Sequence, residues 1–240
     1  LNYRPHTSSF YFHKESNIAY IGFNSFNVNY EGWYDYYIEG GELPEFETDT
    51  MMFIYNFLDV YEKQGDVDNI VLDITCNGGG DVMALDGVLS LLVFGNVQKT
   101  VKNTINGNYY NAITKIDRNF DGYFNALDND RKFNFNYAIL TSNYSFSCGN
   151  ALPTVAKDNG IMIIGEQSGG GSCYVGVYND LFGLDYRVSG MSRIHDYGFI
   201  ERDTGVPVDL DLITYNGGVK SYQRFYDAAY VSQAMTEFYN

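Results

Sequence analysis

Apolar and polar positions along the chain follow two alternating rhythms. The run at 17–23 reads as a strand, and the aromatic, glycine-containing stretch 24–44 reads as a loop. Between 48 and 63, Met51, Met52, Ile54, Tyr55, Leu58 and Tyr61 recur near helical spacing behind a Thr48 or Asp49 cap. The continuous apolar run 69–75 predicts a strand covered on both faces, of the kind parallel sheets use. Cys76-Asn77-Gly78-Gly79-Gly80 then makes a turn that needs glycine's backbone freedom, followed by a helix over 81–94. The second half repeats the rhythm: a strand at 137–141, a helix from Ser147 to about 160, a strand at 161–164, a glycine-rich turn at 165–172, β-like runs over 173–187 and a helical tail over 221–239. Strand, turn, helix, strand is the order of an α/β domain, whose ligands sit at the carboxyl ends of the strands. Both glycine triplets and Ser147 fall at such ends.

Composition narrows the function class. With 240 residues, 45% apolar and 17% aromatic, the chain has material for a real core and no signature of disorder. Fifteen basic against 30 acidic residues give a net charge of −15, which excludes a nucleic-acid reader because phosphate binding needs a basic face. A negative surface fits an extracellular or cell-envelope protein. No apolar run is long enough to cross a bilayer. The first residue, Leu1, has no signal-like segment behind it, so the expectation is a mature or excised piece with sequence upstream. Cys76, Cys148 and Cys173 are too few for a disulfide scaffold, and both a Cys148–Cys173 bridge and free buried thiols fit.

Ser147 has two roles open to it at a strand-to-helix junction. Its oxygen can cap the helix by accepting a first-turn N–H. Alternatively its hydroxyl can be held out of the sheet as a nucleophile, near backbone amides and the positive end of the helix dipole. The first glycine triplet is equally double. It is a tight turn, or a nest of N–H groups for an anion, and an acyl-transfer oxyanion is one such anion. It is neither a dinucleotide fingerprint nor a phosphate loop, because G-x-G-x-x-G and Gly-Lys-Ser/Thr are both absent. An α/β-hydrolase elbow is disfavoured because Ser145 stands where that turn wants glycine.

Four ordered motifs resemble the tail-specific, or C-terminal processing, serine peptidases of family S41: Asp73-Ile74-Thr75-Cys76-Asn77-Gly78-Gly79-Gly80, Ser145-Phe146-Ser147-Cys148-Gly149-Asn150, the 163–171 stretch ending in the second triplet, and Gly205-Val206-Pro207-Val208-Asp209. The 19–26 stretch is similar to the family's opening strand. The resemblance covers about 17–212 and implies a ClpP/crotonase-like spiral of ββα units that hydrolyses peptide bonds in unfolded or C-terminal segments of a polypeptide substrate. It implies Ser147 as nucleophile, the N–H groups of Gly79 and Cys148 as oxyanion donors, and Gly78, Gly80, Gly170 and Gly171 as the cleft's substrate-contacting turns. The domain organisation expected is a lead-in at 1–16, left from an upstream domain, a core at 17–215 with an insertion at about 103–132, and a helical tail at 216–240.

The general base is where the chain departs from this pattern. The Lys of the processing peptidases has Gly171 as its counterpart, and the first-strand His of tricorn-type relatives has Gly22. Some members carry an Asp-Gly-His-Thr-like element ahead of the core, which implies a base upstream of Leu1. Within the chain the candidates are His195 as base, in a polar loop, with Glu201 as its orienting carboxylate. Lys157, His13 and His6 read as surface residues.

A separate motif spans 117–128. Asp117, Asn119 and Asp121 supply oxygens at positions one, three and five, Gly122 allows the sharp turn, and Tyr123 (through its carbonyl), Asn125 and Asp128 complete an EF-hand-like calcium loop. It resembles the loop of dockerin modules, and its role would be structural. Two functional readings follow: a serine peptidase that needs no cofactor for catalysis, and a non-catalytic protein gripping extended peptides on the same scaffold.

Overall fold

The protein is described here from a computed structural model covering residues 4, 8–130 and 133–240. Strands β1 (Phe10–Glu15) and β2 (Ile18–Phe23) form an antiparallel hairpin. A short helix α1 (Tyr30–Tyr34) and one π turn interrupt the expected 24–44 loop. Helix α2 (Thr50–Gln64) starts at Asp49, whose carboxylate accepts the Met52 N–H at 3.1 Å, and stops at Gly65 with φ 68°. Then come β3 (Asn69–Asp73), α3 (Val82–Leu92), β4 (Val97–Asn103), β5 (Tyr109–Thr114), β6 (Asn136–Thr141), α4 (Cys148–Asp158), β7 (Met162–Gly165), β8 (Cys173–Asn179), β9 (Asp185–His195) and β10 (Leu210–Asp211). A small hairpin, β11 (Thr214–Asn216) and β12 (Val219–Ser221), precedes the closing helix α5 (Ala228–Tyr239).

The main sheet runs β1-β2-β3-β6-β7-β10 and is parallel except at β1. Strand alternation divides its residues between two cores. Ile70 and Leu72 of β3 point to α2, α3 and α4, in one cluster with Leu58, Leu85 and Leu152. Val71 points the other way, to Val231 and Met235 of α5. Removing a fully buried side chain such as Leu58 costs about 2–5 kcal/mol. The consequence for function is a rigid platform from which the turns after β3, β6 and β7 project at one edge.

Three expectations change. Residues 10–15 of the expected lead-in are an edge strand of the core sheet. The expected insertion starts inside a second, antiparallel sheet, β5-β4-β9-β8, so its first dozen residues belong to that sheet. The tail helix starts at Ala228, because Asp227 caps it through the Tyr230 N–H at 3.1 Å. The broad reading holds: this is a mixed α/β fold with a mostly parallel sheet.

Candidate active site

Ser147 sits between β6 and α4 with φ 57° and ψ −118°. A non-glycine residue in this region carries on the order of 1–3 kcal/mol of strain, and it persists only where its surroundings over-determine it. They do so here. The Ser147 N–H donates to the Gly170 carbonyl at 3.0 Å, and its own carbonyl accepts the N–H groups of Asn150 and Ala151, each at 2.9 Å. The Phe146 N–H donates to the Asn77 carbonyl at 2.9 Å. Below the turn, the Ser142 and Ser145 hydroxyls donate to the carbonyls of Thr75 (2.6 Å) and Ile74 (2.7 Å), fastening it to the end of β3. The side chain of Ser147 makes no capping bond, so the cap reading is set aside.

The first glycine triplet lies directly against this turn. A Cβ on Gly79, whose φ is 108°, would lie 2.6 Å from the Ser147 Cβ and 3.1 Å from its Oγ. Only glycine allows that approach. The Gly79 N–H donates to Asn77 Oδ1 at 2.9 Å, so the oxyanion donor expected there is already spent. The next amide, Gly80, has no acceptor among the described residues, and neither has the first amide of α4, Cys148. Gly80 and Cys148 line one pocket with Ser147, whereas Gly78 and Gly79 do not.

That pocket has a volume of about 160 Å³; Val82, Leu85, Ala151 and Ile194 give it an apolar floor, with Gly171, Ser172 and Cys173 at one side. Gly170 serves it indirectly, through the carbonyl that holds Ser147. All three cysteines are free thiols. Among the described residues no His, Lys, Asp or Glu lines the pocket. Burial pushes the Cys148 thiol up to about 11 and raises the Tyr174 phenol as well, so both stay protonated near neutral pH and neither is a base there.

His195 is not brought to Ser147. It is the last residue of β9, in register with Thr100 of β4, and not in the expected polar loop. Its neighbour Ile194 faces the pocket, so the strand's two-residue period turns His195 to the opposite face. There it is 2% exposed, packs edge-on against Tyr109 and pairs through Nδ1 with the Phe199 carbonyl at 3.2 Å. Burial lowers its pKa. Glu201 pairs with Arg193 and does not orient the imidazole, although the two backbones meet in a β-bridge. Lys157 pairs with Asp209 at 2.5 Å, His13 is partly exposed, and His6 lies outside the described residues.

The model of peptidase family S41 matches residues 17–211. The chain belongs to peptidase family S41. No curated protein matches it. Solved structures share the S41 chain's fold at low identity. A candidate peptidase from Parabacteroides merdae is 15% identical, with TM-score 0.61 over 97% of this chain and 65% of its own. A lipoprotein from Streptococcus agalactiae is 13% identical, with TM-score 0.63 over 96% of this chain and 70% of its own. A photosystem II D1 C-terminal processing protease is 20% identical, with TM-score 0.58 over 85% of this chain and 48% of its own. The S41 chain thus spans 65% of the length of the first of these and about half of the third.

Both places where the family resemblance puts a base are glycines covered by a ring. A Cβ at Gly171, φ 81°, would lie 2.6 Å from the Phe146 ring, and one at Gly22 would clash with the Tyr11 ring. Tyr11 in turn donates to the buried Asp73, as Tyr226 does at 2.9 Å. The aromatic cover was not legible in the motifs: Tyr11 stands outside them, and Phe146, though inside the second, gives no sign there that its ring covers Gly171. Asn150, the last residue of the second motif, ties the site to the segment of the second triplet. Its Oδ1 accepts the Ser168 hydroxyl at 2.7 Å, and its Nδ2 donates to the Arg202 carbonyl at 3.0 Å.

The 117–128 loop lies apart from the pocket. Asp117 accepts the N–H groups of Asp121 (3.2 Å) and Gly122 (2.8 Å), and Asp121 that of Tyr123 (2.8 Å). Asn119 accepts the Asp121 N–H at 3.1 Å, and Asn125 accepts that of Leu127 at 2.8 Å. Asp128 accepts the amides of Arg118 (2.8 Å) and Asn125 (2.9 Å). Among the described residues no three His, Cys, Asp or Glu side chains gather as a metal site. The donor set is all oxygen, which suits a hard cation such as calcium.

Proposed function

We propose that the chain is the catalytic core of a serine peptidase acting on unfolded or C-terminal polypeptide segments, with Ser147 as nucleophile. The observation that carries this is Ser147 itself: a strained serine with no capping bond, at a helix N-terminus and in van der Waals range of a glycine turn. Attack of Oγ on a peptide carbonyl would place the oxyanion between the free amides of Gly80 and Cys148, donors worth roughly 3 kcal/mol of barrier each. The serine proton goes to a base outside the described residues, since the pocket supplies none, and that base returns it to the leaving amine. A ClpP/crotonase-like ββα spiral and an extracellular or envelope location belong to the same reading. We also infer from spacing that the 117–128 loop holds a structural calcium ion through Asp117, Asn119, Asp121, Tyr123, Asn125 and Asp128.

The rival is a non-catalytic peptide binder, favoured by the covered base positions at Gly22 and Gly171. Incubating the full-length protein with a denatured polypeptide separates them. New amino termini that appear with the native protein and vanish with Ser147→Ala support the peptidase, and none from either supports the binder.

A further inference from the structure

The first turn of α3 separates two cavities. Val82 and Leu85 face the Ser147 pocket, while Met83 and Ala84 face a second cavity of about 270 Å³. The second is walled by Tyr30, Trp33, Tyr37, Phe120 and Phe124. Trp33 stacks on Tyr37 with centroids 5.8 Å apart, and Tyr37 on Phe124 at 6.2 Å. The polar tips of three of its aromatic walls are already satisfied. The Tyr30 hydroxyl donates to Asp81 Oδ2 at 2.7 Å, the Trp33 indole N–H to Asp49 Oδ2 at 2.8 Å, and the Tyr37 hydroxyl to Asp117 Oδ2 at 3.3 Å.

The ring hydroxyls and the indole therefore ask no hydrogen bond of a ligand, and Lys115 is the one cation in the lining among the described residues. The box leaves apolar surface in water, with Tyr30, Met83 and Phe124 60%, 54% and 56% exposed. Its volume is below the roughly 300–1,000 Å³ that encloses a drug-sized molecule. One large side chain is the size that fits. Position supplies the rest of the argument. Gly80 lines the Ser147 pocket, and the adjacent Asp81 both caps α3 and holds Tyr30 at the mouth of the box. A helix is about 10 Å across, and an extended chain advances roughly 3.3 Å per residue. A peptide crossing α3 thus places in the box a side chain about three residues from its reacting carbonyl.

We propose that this aromatic box is a specificity pocket for one large apolar side chain, aromatic by preference, of the polypeptide whose scissile carbonyl lies at Ser147. The proposal rests on the peptidase reading for what lies at Ser147, and on the cavity alone for the side-chain preference.

Trp33 is the only tryptophan in the chain, so its emission reports occupancy directly. The 240-residue chain carrying Ser147→Ala, which cannot turn over and has Trp33 as its one tryptophan, is titrated with unstructured peptides differing only by Phe or Ala at one position. The expected result is a saturable change in Trp33 emission with a dissociation constant about tenfold tighter for the Phe peptide, the size of one good aromatic contact. Phe124→Ala and Met83→Lys, both at exposed wall positions, each remove that preference. In the native protein, cleavage products of a peptide mixture then carry an aromatic residue at a fixed place about three residues from the cut. Equal affinity for the two peptides, or a preference that survives both variants, overturns the proposal. Failure of a fluorophosphonate to label Ser147 while Trp33 still prefers the Phe peptide overturns the peptidase reading and supports the box as a side-chain site.

Discussion

The Cα of Gly79 faces the side chain of Ser147 so closely that a methyl group added to it would stand 2.6 Å from the serine's Cβ. Two turns 68 residues apart in sequence (147 − 79) are thus fitted to each other without room for one carbon. Gly79→Ala is therefore expected to lower stability by about 1–3 kcal/mol, through the clash and the positive φ together, and to remove turnover. Denaturant unfolding and peptide hydrolysis check it. A Gly79→Ala protein of native stability and activity would show that the turns are not packed in this way.

Phe146 and Gly171 form the second such fit, and they explain why the processing-type Lys has no place here. Gly171→Lys is expected to destabilise the protein and to yield no gain in turnover. Adding Phe146→Ala should recover part of the stability, a coupling between contacting residues that a double-mutant cycle reads. Additive effects of the two changes would mean that the ring does not block the position.

The sheet and the helices around the site were legible because their signals are local and repeated. The 69–75 run has no polar interruption from Ile70 to Leu72, and α2 has both a cap and a stop. Ser147 and the glycine triplet were legible for the same reason, as turn chemistry at strand ends. The strand position of His195 was not legible because Asp196-Tyr197-Gly198 announces a turn, while the strand before it is set by pairing with β4, a contact 95 residues away in sequence (195 − 100). Which amide of the triplet is left without an acceptor was not legible, because the Asn77 side chain, folded back on the Gly79 amide, decides it. The covering rings belong to the same class of feature, fixed by tertiary packing and absent from spacing.

Asp158, near the end of α4, gives a pH-dependent prediction. Burial pushes its carboxyl up to about 6 from 3.8, nearby Asp196 adds to this, and the bond from the Tyr197 N–H at 3.0 Å opposes it. A folded-state value above the unfolded one means that the fold binds the extra proton. Stability is thus lost as pH rises from 3.8 through about 6. Asp158→Asn keeps an acceptor for the Tyr197 amide and removes the charge. It is expected to raise the Tm at about pH 7.5, with the gain shrinking toward pH 4.5. A gain that is constant across this range would assign the effect to something other than titration.

The calcium loop is checked by thermal unfolding with and without the ion. Calcium is expected to raise the Tm of the full-length protein, and Asp121→Ala, at an exposed position that bonds only within the loop, to cancel the rise. An unchanged Tm and no heat of binding would leave 117–128 as a turn closed by its own amides.

Labelling with a fluorophosphonate tests the central claim most directly, because phosphonylation needs an activated serine beside amides that can hold an oxyanion. The account predicts a single adduct on the full-length protein, mapped by mass spectrometry to the peptide containing Ser147, and its loss in Ser147→Ala. An unlabelled native protein, or an adduct on any other serine, would contradict it.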